Sequence, residues 1–151
     1  MKSKKVLFHP KERYLVPAFG PDAKALAVAL AAVAVLCEKH KSDAVIVVPA
    51  LKDVDTTVLN QVIPEAQLKQ LASGNSLGIA GHYKLSMSSK ATYRQQRQPK
   101  VVFAPFASKE VIEMIEGSRD CAAFVVVPWN SEDAKAWDTL EGVTILKVPP
   151  A

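Results

Sequence analysis

Glycine is scarce in this sequence, with six in 151 residues, and this scarcity restricts the kinds of ligand site it can form. Neither G-x-G-x-x-G after the first predicted strand nor G-x-x-x-x-G-K-[ST] occurs. The short motif GIAG at residues 78–81 lies in or beside a predicted strand, where close backbone packing explains it. The nucleophile elbow G-x-S-x-G is also missing. The common phosphate-binding loops are therefore excluded, and no cofactor is expected.

Cysteine is also rare, and the two that occur, Cys37 and Cys121, lie in or beside apolar segments. Two cysteines do not make the disulfide framework of a small secreted protein, and no Cys/His spacing matches a zinc site. Asp53 and Asp55 stand two apart before a helical segment, but the further ligands that a metal ion needs are missing. Buried free thiols and no metal are expected.

No apolar run is long enough to cross a membrane. The longest uncharged run, Ala25 to Cys37, has 13 residues, whereas a spanning helix needs about 20. The charged N-terminal stretch MKSKKVLFHP is not followed by the hydrophobic core of a secretion signal. We therefore expect a soluble cytoplasmic protein without a membrane partner.

Acidic residues are missing from residues 66–109, which carry seven lysines and arginines. Residues 110–151 have the opposite bias, with eight acids against three bases. A basic segment can steer an anionic partner, and oppositely charged segments can pair within one molecule or between two copies. The charge pattern is compatible both with an anionic ligand and with a homo-oligomer.

What the sequence does contain is an alternation of short apolar runs and helical segments. Strands are predicted at residues 5–9, 43–50, 76–82, 100–107, 121–128 and 143–148, with the weak third and the last at the sheet edges. Helices are predicted at residues 22–40, 55–63, 65–73, 108–117 and 131–142. The pattern predicts one α/β domain over residues 1–151. The expected fold of this domain is a three-layer sandwich. Its mostly parallel sheet of five or six strands has helices on both faces, as in doubly wound, Rossmann- or flavodoxin-like folds.

The first predicted helix, which ends near His40, is rich in alanine and apolar on nearly all sides. Such a helix is expected to be covered on more than one side, and alanine permits the close approach of a sheet or of another helix. Self-association through this helix is one hypothesis for an oligomer, and pairing of the basic and acidic segments is another.

Ligand sites in open parallel sheets lie beyond the carboxyl ends of the strands, where the strand order reverses. This rule selects the loops that follow His9, Pro49, Gly81, Pro105 and Pro128. If their strands are neighbours, His9 and His82 flank one cleft with Asp53 or Asp55 nearby. A histidine–carboxylate pair is the minimum for general base catalysis near neutral pH, although two strand-end histidines in partial solvent would look the same in sequence.

Several polar and aromatic residues in these loops have both a structural and a functional interpretation. Ser108, and Asn130 or Ser131, open predicted helices, where they act as N-caps or border a phosphate at the free N–H groups. Trp129 follows a strand-ending proline and either stacks on a ligand or covers the sheet edge. Trp137, on a predicted helix, is expected in the core.

Residues 83–99 form a polar, basic and serine-rich excursion between predicted strands, and a connection of this length is usually functional or mobile. A short helix capped by Ser88 or Ser89 would place three bases, Lys90, Arg94 and Arg97, on one face beside the aromatic ring of Tyr93. Bases with an aromatic ring can hold phosphates and stack on a nucleobase, but no nucleic-acid-binding motif accompanies them. The alternative is a solvated helix whose bases meet the acidic C-terminal third.

The leading hypothesis is a small α/β protein that binds an anionic ligand or partner at the carboxyl ends of the strands, without an identifiable catalytic set. The ligand-binding candidates are His82, Tyr83, Lys84, Ser88, Tyr93, Arg94, Arg97, Trp129 and Asn130. One alternative is an enzyme acting on a nucleotide-like or phosphorylated small molecule, with His82 or His9 as general base. The other alternative is nucleic-acid binding through the basic segment at residues 84–100.

Overall fold

The structure, a computed structural model, describes residues 12–17, 23–48, 61–89, 100–118, 121–128, 135, 137 and 142–147. Within these residues the chain forms seven strands and three helices. The strands are β1 (Glu12–Leu15), β2 (Ala44–Val48), β3 (Leu77–Ile79), β4 (Tyr83–Ser89), β5 (Val101–Ala107), β6 (Ala123–Pro128) and β7 (Val143–Ile145). The helices are α1 (Ala23–His40), α2 (Glu65–Ala72) and α3 (Lys109–Glu116).

All seven strands join one sheet in the order β3-β4-β2-β5-β6-β1-β7. Every neighbouring pair is parallel except β3 and β4, which form an antiparallel hairpin. The predicted α/β fold with a mostly parallel sheet is confirmed, with seven strands instead of the five or six expected. The two predicted edge strands, β3 and β7, do lie at the edges.

Helices cover both faces of this sheet. Side chains alternate along each strand, so each strand contributes residues to both faces. On the first face, Ile46, Phe103 and Val125 pack with the buried sides of α1 and α2. On the second face, the neighbouring residues Val45 and Phe124 pack with α3 and with Trp137, which is 4% exposed as expected of a core residue. The central strands are apolar on both sides, which explains their continuous hydrophobic runs.

The chain winds from β1 to β2 and then to β4 with α1 and α2 on the first face. It winds in the opposite direction, from β5 to β6 and then to β7, with α3 and Trp137 on the second face. This arrangement is the one expected when all parallel crossovers share one hand. Counted alone, the parallel strands have the spatial order 3-2-4-5-1-6, which is neither the Rossmann order 3-2-1-4-5-6 nor the flavodoxin order 2-1-3-4-5.

Two strands have no counterpart among the predicted ones. β1 contains Glu12 and Arg13, whose charges hide it in the sequence, and the predicted strand at residues 5–9 lies outside the described residues. β4 occupies residues 83–89, the first seven residues of the polar excursion predicted at 83–99. The prediction of an excursion is therefore wrong for these seven residues. In β4, Leu85 and Met87 alternate with small serines and point into the first-face core.

The other predicted helices have mixed outcomes. α1, α2 and α3 match the predictions at residues 22–40, 65–73 and 108–117 closely. Of the helix predicted at residues 131–142, only Lys135 and Trp137 fall within the described residues before Gly142, and both have 3₁₀ geometry. The helix predicted at residues 55–63 lies almost entirely outside the described part of the chain.

α1 is covered by the sheet on one side only. Its buried residues include Leu26, Val33 and Leu36, which face β5 and β6. Its opposite side is exposed, and Val35 there is 66% exposed. The expectation that this apolar helix is covered on more than one side is therefore wrong for the single chain.

α1 and α2 end in the same backbone motif but with different residues at the left-handed position. After α1, Lys41 has φ 54°, and the N–H of Ser42 donates to the carbonyl of Cys37 at 3.1 Å. After α2, Gly74 has φ 101°, and the N–H of Asn75 donates to the carbonyl of Gln70 at 2.9 Å. These are Schellman caps, in which glycine is the usual residue at the position that Lys41 occupies.

We expect Lys41→Gly to raise the free energy of unfolding by about 1 kcal/mol, because a side chain in the left-handed region costs that much relative to glycine. The matched reverse change, Gly74→Lys, should lower it by a similar amount, since open space surrounds that position and only the backbone is strained. Urea denaturation of the two variants measures both values. A destabilised Lys41→Gly protein would contradict this account of the α1 cap.

Candidate functional site

The carboxyl ends of the six parallel strands meet at one edge of the sheet, called here the carboxyl rim. Its described residues include Val16, Val48, Ser89, Ser108, Pro128 and Leu146, one for each of these strands. At two places on this rim, neighbouring strands send the chain to opposite faces, namely between β2 and β5 and between β6 and β1. Crevices for ligands form at such switch points in open α/β sheets.

α3 begins at the carboxyl rim, directly after β5. The Ser108 hydroxyl accepts the N–H of Val111 at 3.3 Å, and the backbone of Ser108 is extended with φ −85° and ψ 166°. Ser108 is thus an N-cap, as one of its two interpretations predicts. The positive end of the α3 dipole points toward the rim.

His82 lies at the opposite end of the sheet from this rim. It sits in the turn between β3 and β4, and Ile79 pairs with Tyr83 across that turn. The expectation that the loop after Gly81 opens at the carboxyl ends is wrong, because β3 runs antiparallel to the other strands. His82 is exposed, and its ring meets the Tyr83 ring edge-on at 6.3 Å between centroids.

The predicted ligand-binding residues that the structure describes do not form one cluster. Tyr83 and Lys84 begin β4, whereas Ser88 lies near its other end, pairs with Val47 and is 6% exposed. From Lys84 to Ser88 the strand rises about 13 Å. The segment at residues 84–100 is therefore not one continuous surface, since Leu85, Met87 and Ser88 are buried within it.

The remaining predicted site residues lie outside the described residues, so their roles stay predictions. They are His9, Asp53, Tyr93, Arg94, Arg97, Trp129 and Asn130. Trp129 and Asn130 directly follow Pro128, which ends β6 at the switch point with β1. Asp53 follows β2 along the chain by five residues.

The opposite edge of the sheet, called here the amino rim, holds polar contacts that the sequence did not reveal. The parallel strands begin there, and its described polar residues include Glu12, Ser42, Asp43, Lys84 and Lys100. The Asp43 carboxylate accepts the N–H of Lys84 at 2.9 Å, and the Ser42 hydroxyl accepts the N–H of Lys100 at 3.0 Å. These bonds bring the starts of β4, β2 and β5 together beside the exposed Lys41.

Glu12 is the centre of a charged cluster that joins β1 to the end of α1. Its carboxylate accepts the Tyr14 hydroxyl at 2.7 Å and the Lys39 ammonium at 3.0 Å, and the His40 Nε2 lies 3.0 Å from its Oε2. Burial alone would raise the pKa of Glu12, but the bonds from Tyr14 and Lys39 and the charges of His40 and Lys39 together lower it. Burial and the bond to Glu12 raise the pKa of Tyr14 to about 12.

Arg13 makes the corresponding contact on the second face. Its Nε and Nη2 donate to the two carboxylate oxygens of Glu116 at 2.7 and 2.6 Å, and Trp137 Nε1 donates to the same carboxylate at 3.0 Å. The hydrogen bonds with Glu116 raise the pKa of Arg13, so this guanidinium stays charged. Glu116 therefore connects β1, through Arg13, with Trp137.

The described residues include two buried cysteines but no cluster of metal ligands. Cys37 and Cys121 are buried and form no disulfide, as predicted, and burial raises the pKa of Cys37 to about 11. Within the described ranges, no group of three His, Cys, Asp or Glu side chains is placed to hold a metal ion. None of the helices in the described part of the chain is long and apolar enough to cross a membrane.

Comparison with known proteins assigns this chain to no family. The chain matches no family model, and no curated protein sequence matches it significantly.

The Glu12 cluster should make stability depend on pH in a defined direction. Because the folded state lowers the pKa of Glu12, its ionised form stabilises the fold above the unfolded pKa of about 4.3. That stabilisation is lost as the pH falls through the lower, folded pKa. We therefore expect the stability difference between the native protein and Glu12→Gln to be largest near neutral pH and to shrink below about pH 4.

Urea denaturation as a function of pH measures this difference. Glu65→Gln is the matched control, because Glu65 forms an exposed pair with Lys69 at 3.7 Å, and such pairs contribute little. A difference for Glu12→Gln that persists unchanged to strongly acid pH would show that the Glu12 charge does not stabilise the fold.

Proposed function

We propose that this protein binds a small anionic ligand at the carboxyl rim of its sheet and that it acts as a binding module. The observation that supports this most directly is the sheet topology, in which six parallel strands end at one rim with two switch points. Open α/β sheets bind their ligands at such positions. The proposal specifies only that the ligand is a small anion, because a fold alone does not determine function.

The preference for an anion comes from α3. This helix starts at the rim, and its macrodipole places partial positive charge at the Ser108 end. The nearby Lys109 is exposed and positively charged, and the likewise exposed Glu110 of the same turn offsets this charge in part. A phosphate or carboxylate group on a small molecule is the chemistry that such a helix start accommodates.

We expect Ser108→Asp to weaken anion binding about tenfold or more, because it places a like charge at the proposed position of the ligand. Aspartate is as good an N-cap as serine, so α3 should stay intact. The measurement is an amide chemical-shift titration with inorganic phosphate, a nucleoside monophosphate and a sugar phosphate. Saturable shifts should appear at Val48, Lys109 and Val111.

The control for this experiment is Ser76→Asp, which adds the same charge at an exposed position before β3, at the edge of the sheet. It should leave the affinity unchanged. If none of the three anions gives saturable shifts at the carboxyl rim, or if Ser108→Asp binds as tightly as the native protein, the proposal fails.

A second candidate function is binding of a polyanion such as single-stranded nucleic acid at the amino rim. The observation that favours it is the proximity of Lys41, Lys84 and Lys100, which the hydrogen bonds of Ser42 and Asp43 hold at adjacent strand starts. Phosphate contacts from such lysines give salt-dependent binding without sequence preference. This surface uses only the two ends of the basic segment at 84–100.

We expect Lys84→Glu with Lys100→Glu to weaken oligonucleotide binding about tenfold if the amino rim is the site. Fluorescence polarisation with a labelled single-stranded oligonucleotide measures the affinity at two salt concentrations. Lys69→Glu is the matched control, because Lys69 lies on α2 and pairs with Glu65. Equal affinity of the double variant and the control would exclude the amino rim.

The enzyme alternative has less support from the described residues. His82 is exposed in the β3–β4 turn, where its ring meets the Tyr83 ring edge-on. His9 and Asp53 lie outside the described residues, so a base formed by them stays a prediction.

A further inference from the structure

The outward side of α1 is an exposed apolar surface on an otherwise well-packed domain. Val35, 66% exposed, and Ile145, 51% exposed, are the large hydrophobic side chains left in solvent among the described residues. Ala27 and Ala31 are also exposed, and Val28 and Ala34 beside them are half-buried. The α1 face is defined here by Ala27, Val28, Ala31, Ala34 and Val35, with Lys24 and Glu38 at its two ends.

The residues of the α1 face have a symmetrical spacing. Five of its exposed positions, at residues 24, 27, 31, 35 and 38, lie at Ala31 and at four and seven residues on each side of it; Lys39 is also exposed, and its ammonium contacts Glu12. A twofold axis through Ala31 would therefore bring each position of one helix opposite the matching position of an antiparallel second helix. This spacing follows from the helical repeat of 3.6 residues, so the same side of a second copy is a surface that matches it.

The chemistry at the matching positions is complementary. Across such an axis, Lys24 of one copy meets Glu38 of the other, so opposite charges face each other at both ends. Ala27 meets Val35, so a small side chain faces a larger one, and Ala31 meets Ala31 at the centre. Small residues at the centre allow the two helix axes to approach to the short end of the usual 8–10 Å range.

We propose that the protein forms a twofold-symmetric dimer in which the α1 faces of two copies pack antiparallel across Ala31. Burial of the apolar side chains supplies the favourable free energy. The two Lys24–Glu38 pairs fix register and orientation, which is the usual contribution of charges at the border of an interface. The interface is isologous, as a closed dimer requires.

The dimer is expected to be weak. A single pair of helix faces buries less than the ~1,200 Å² of a standard stable interface, so association should be reversible and depend on concentration. This inference does not depend on the proposed anion site, because α1 presents to solvent the side that faces away from the sheet.

A charge-swap experiment tests the register. Sedimentation equilibrium over micromolar to submillimolar concentrations should show the mass rising from 16.3 kDa toward twice that value. Lys24→Glu alone, or Glu38→Lys alone, should weaken association about tenfold, because each turns two attractive pairs into repulsive ones. The double variant carrying both changes should recover the native affinity, which a purely local effect of either substitution would not produce.

A cross-linking experiment tests the geometry independently. Two copies of Ala31→Cys would face each other across the axis and should form a disulfide-linked dimer under mild oxidation. Two copies of Ala27→Cys would lie eight residues apart, about 12 Å along the helix, which exceeds the ~7 Å reach of a disulfide. The native thiols, Cys37 and Cys121, are buried and should contribute no background.

The proposal is overturned if the protein stays monomeric at submillimolar concentration, which would mean that another partner or another segment of this chain covers the α1 face. It is also overturned if Ala27→Cys cross-links as readily as Ala31→Cys, since that result indicates parallel helices. Failure of the double charge variant to recover affinity would reject the Lys24–Glu38 register.

Discussion

Burial of both faces of the three central strands is the constraint on which the rest of this structure depends. β2, β5 and β6 are apolar on each side, so each face needs a helical layer. α1 supplies the first layer by crossing over β5 and β6 on its way from β1 to β2. The second layer is α3 with Trp137, whose indole meets Phe124 edge-on at 5.0 Å between ring centroids.

β1 connects these layers through charged side chains. Because side chains alternate along a strand, Glu12 reaches the end of α1 on one face while Arg13 reaches Glu116 of α3 on the other. The Arg13–Glu116 pair is shielded, with side chains 18% and 26% exposed, so it loses less to solvent than the Glu12–Lys39 pair, whose lysine is 57% exposed. This polar strand thus holds two helical layers in register with the sheet.

The sequence predicts the parts of the fold that follow from strong local patterns. The runs that became β2, β5 and β6 are apolar and continuous, and the helices over them have clear starts and ends. β1 and β4 could not be found in this way, because Glu12, Arg13 and the serines of β4 are polar and their strand geometry comes from pairing with neighbours. The direction of β3 was missed for a related reason. Its three residues carry no sign of whether the chain continues as a crossover or turns back, and that direction decides the position of His82.

The shortness of the two outermost strands has a consequence for behaviour at high concentration. Each has only three residues, Leu77–Ile79 at one side and Val143–Ile145 at the other. A strand at the margin of a sheet offers its unpaired N–H and C=O groups as a template for intermolecular β-pairing, and a short strand offers few of them. The sheet therefore gives little opportunity for edge-to-edge aggregation, even though its interior strands are among the most β-prone segments of the chain.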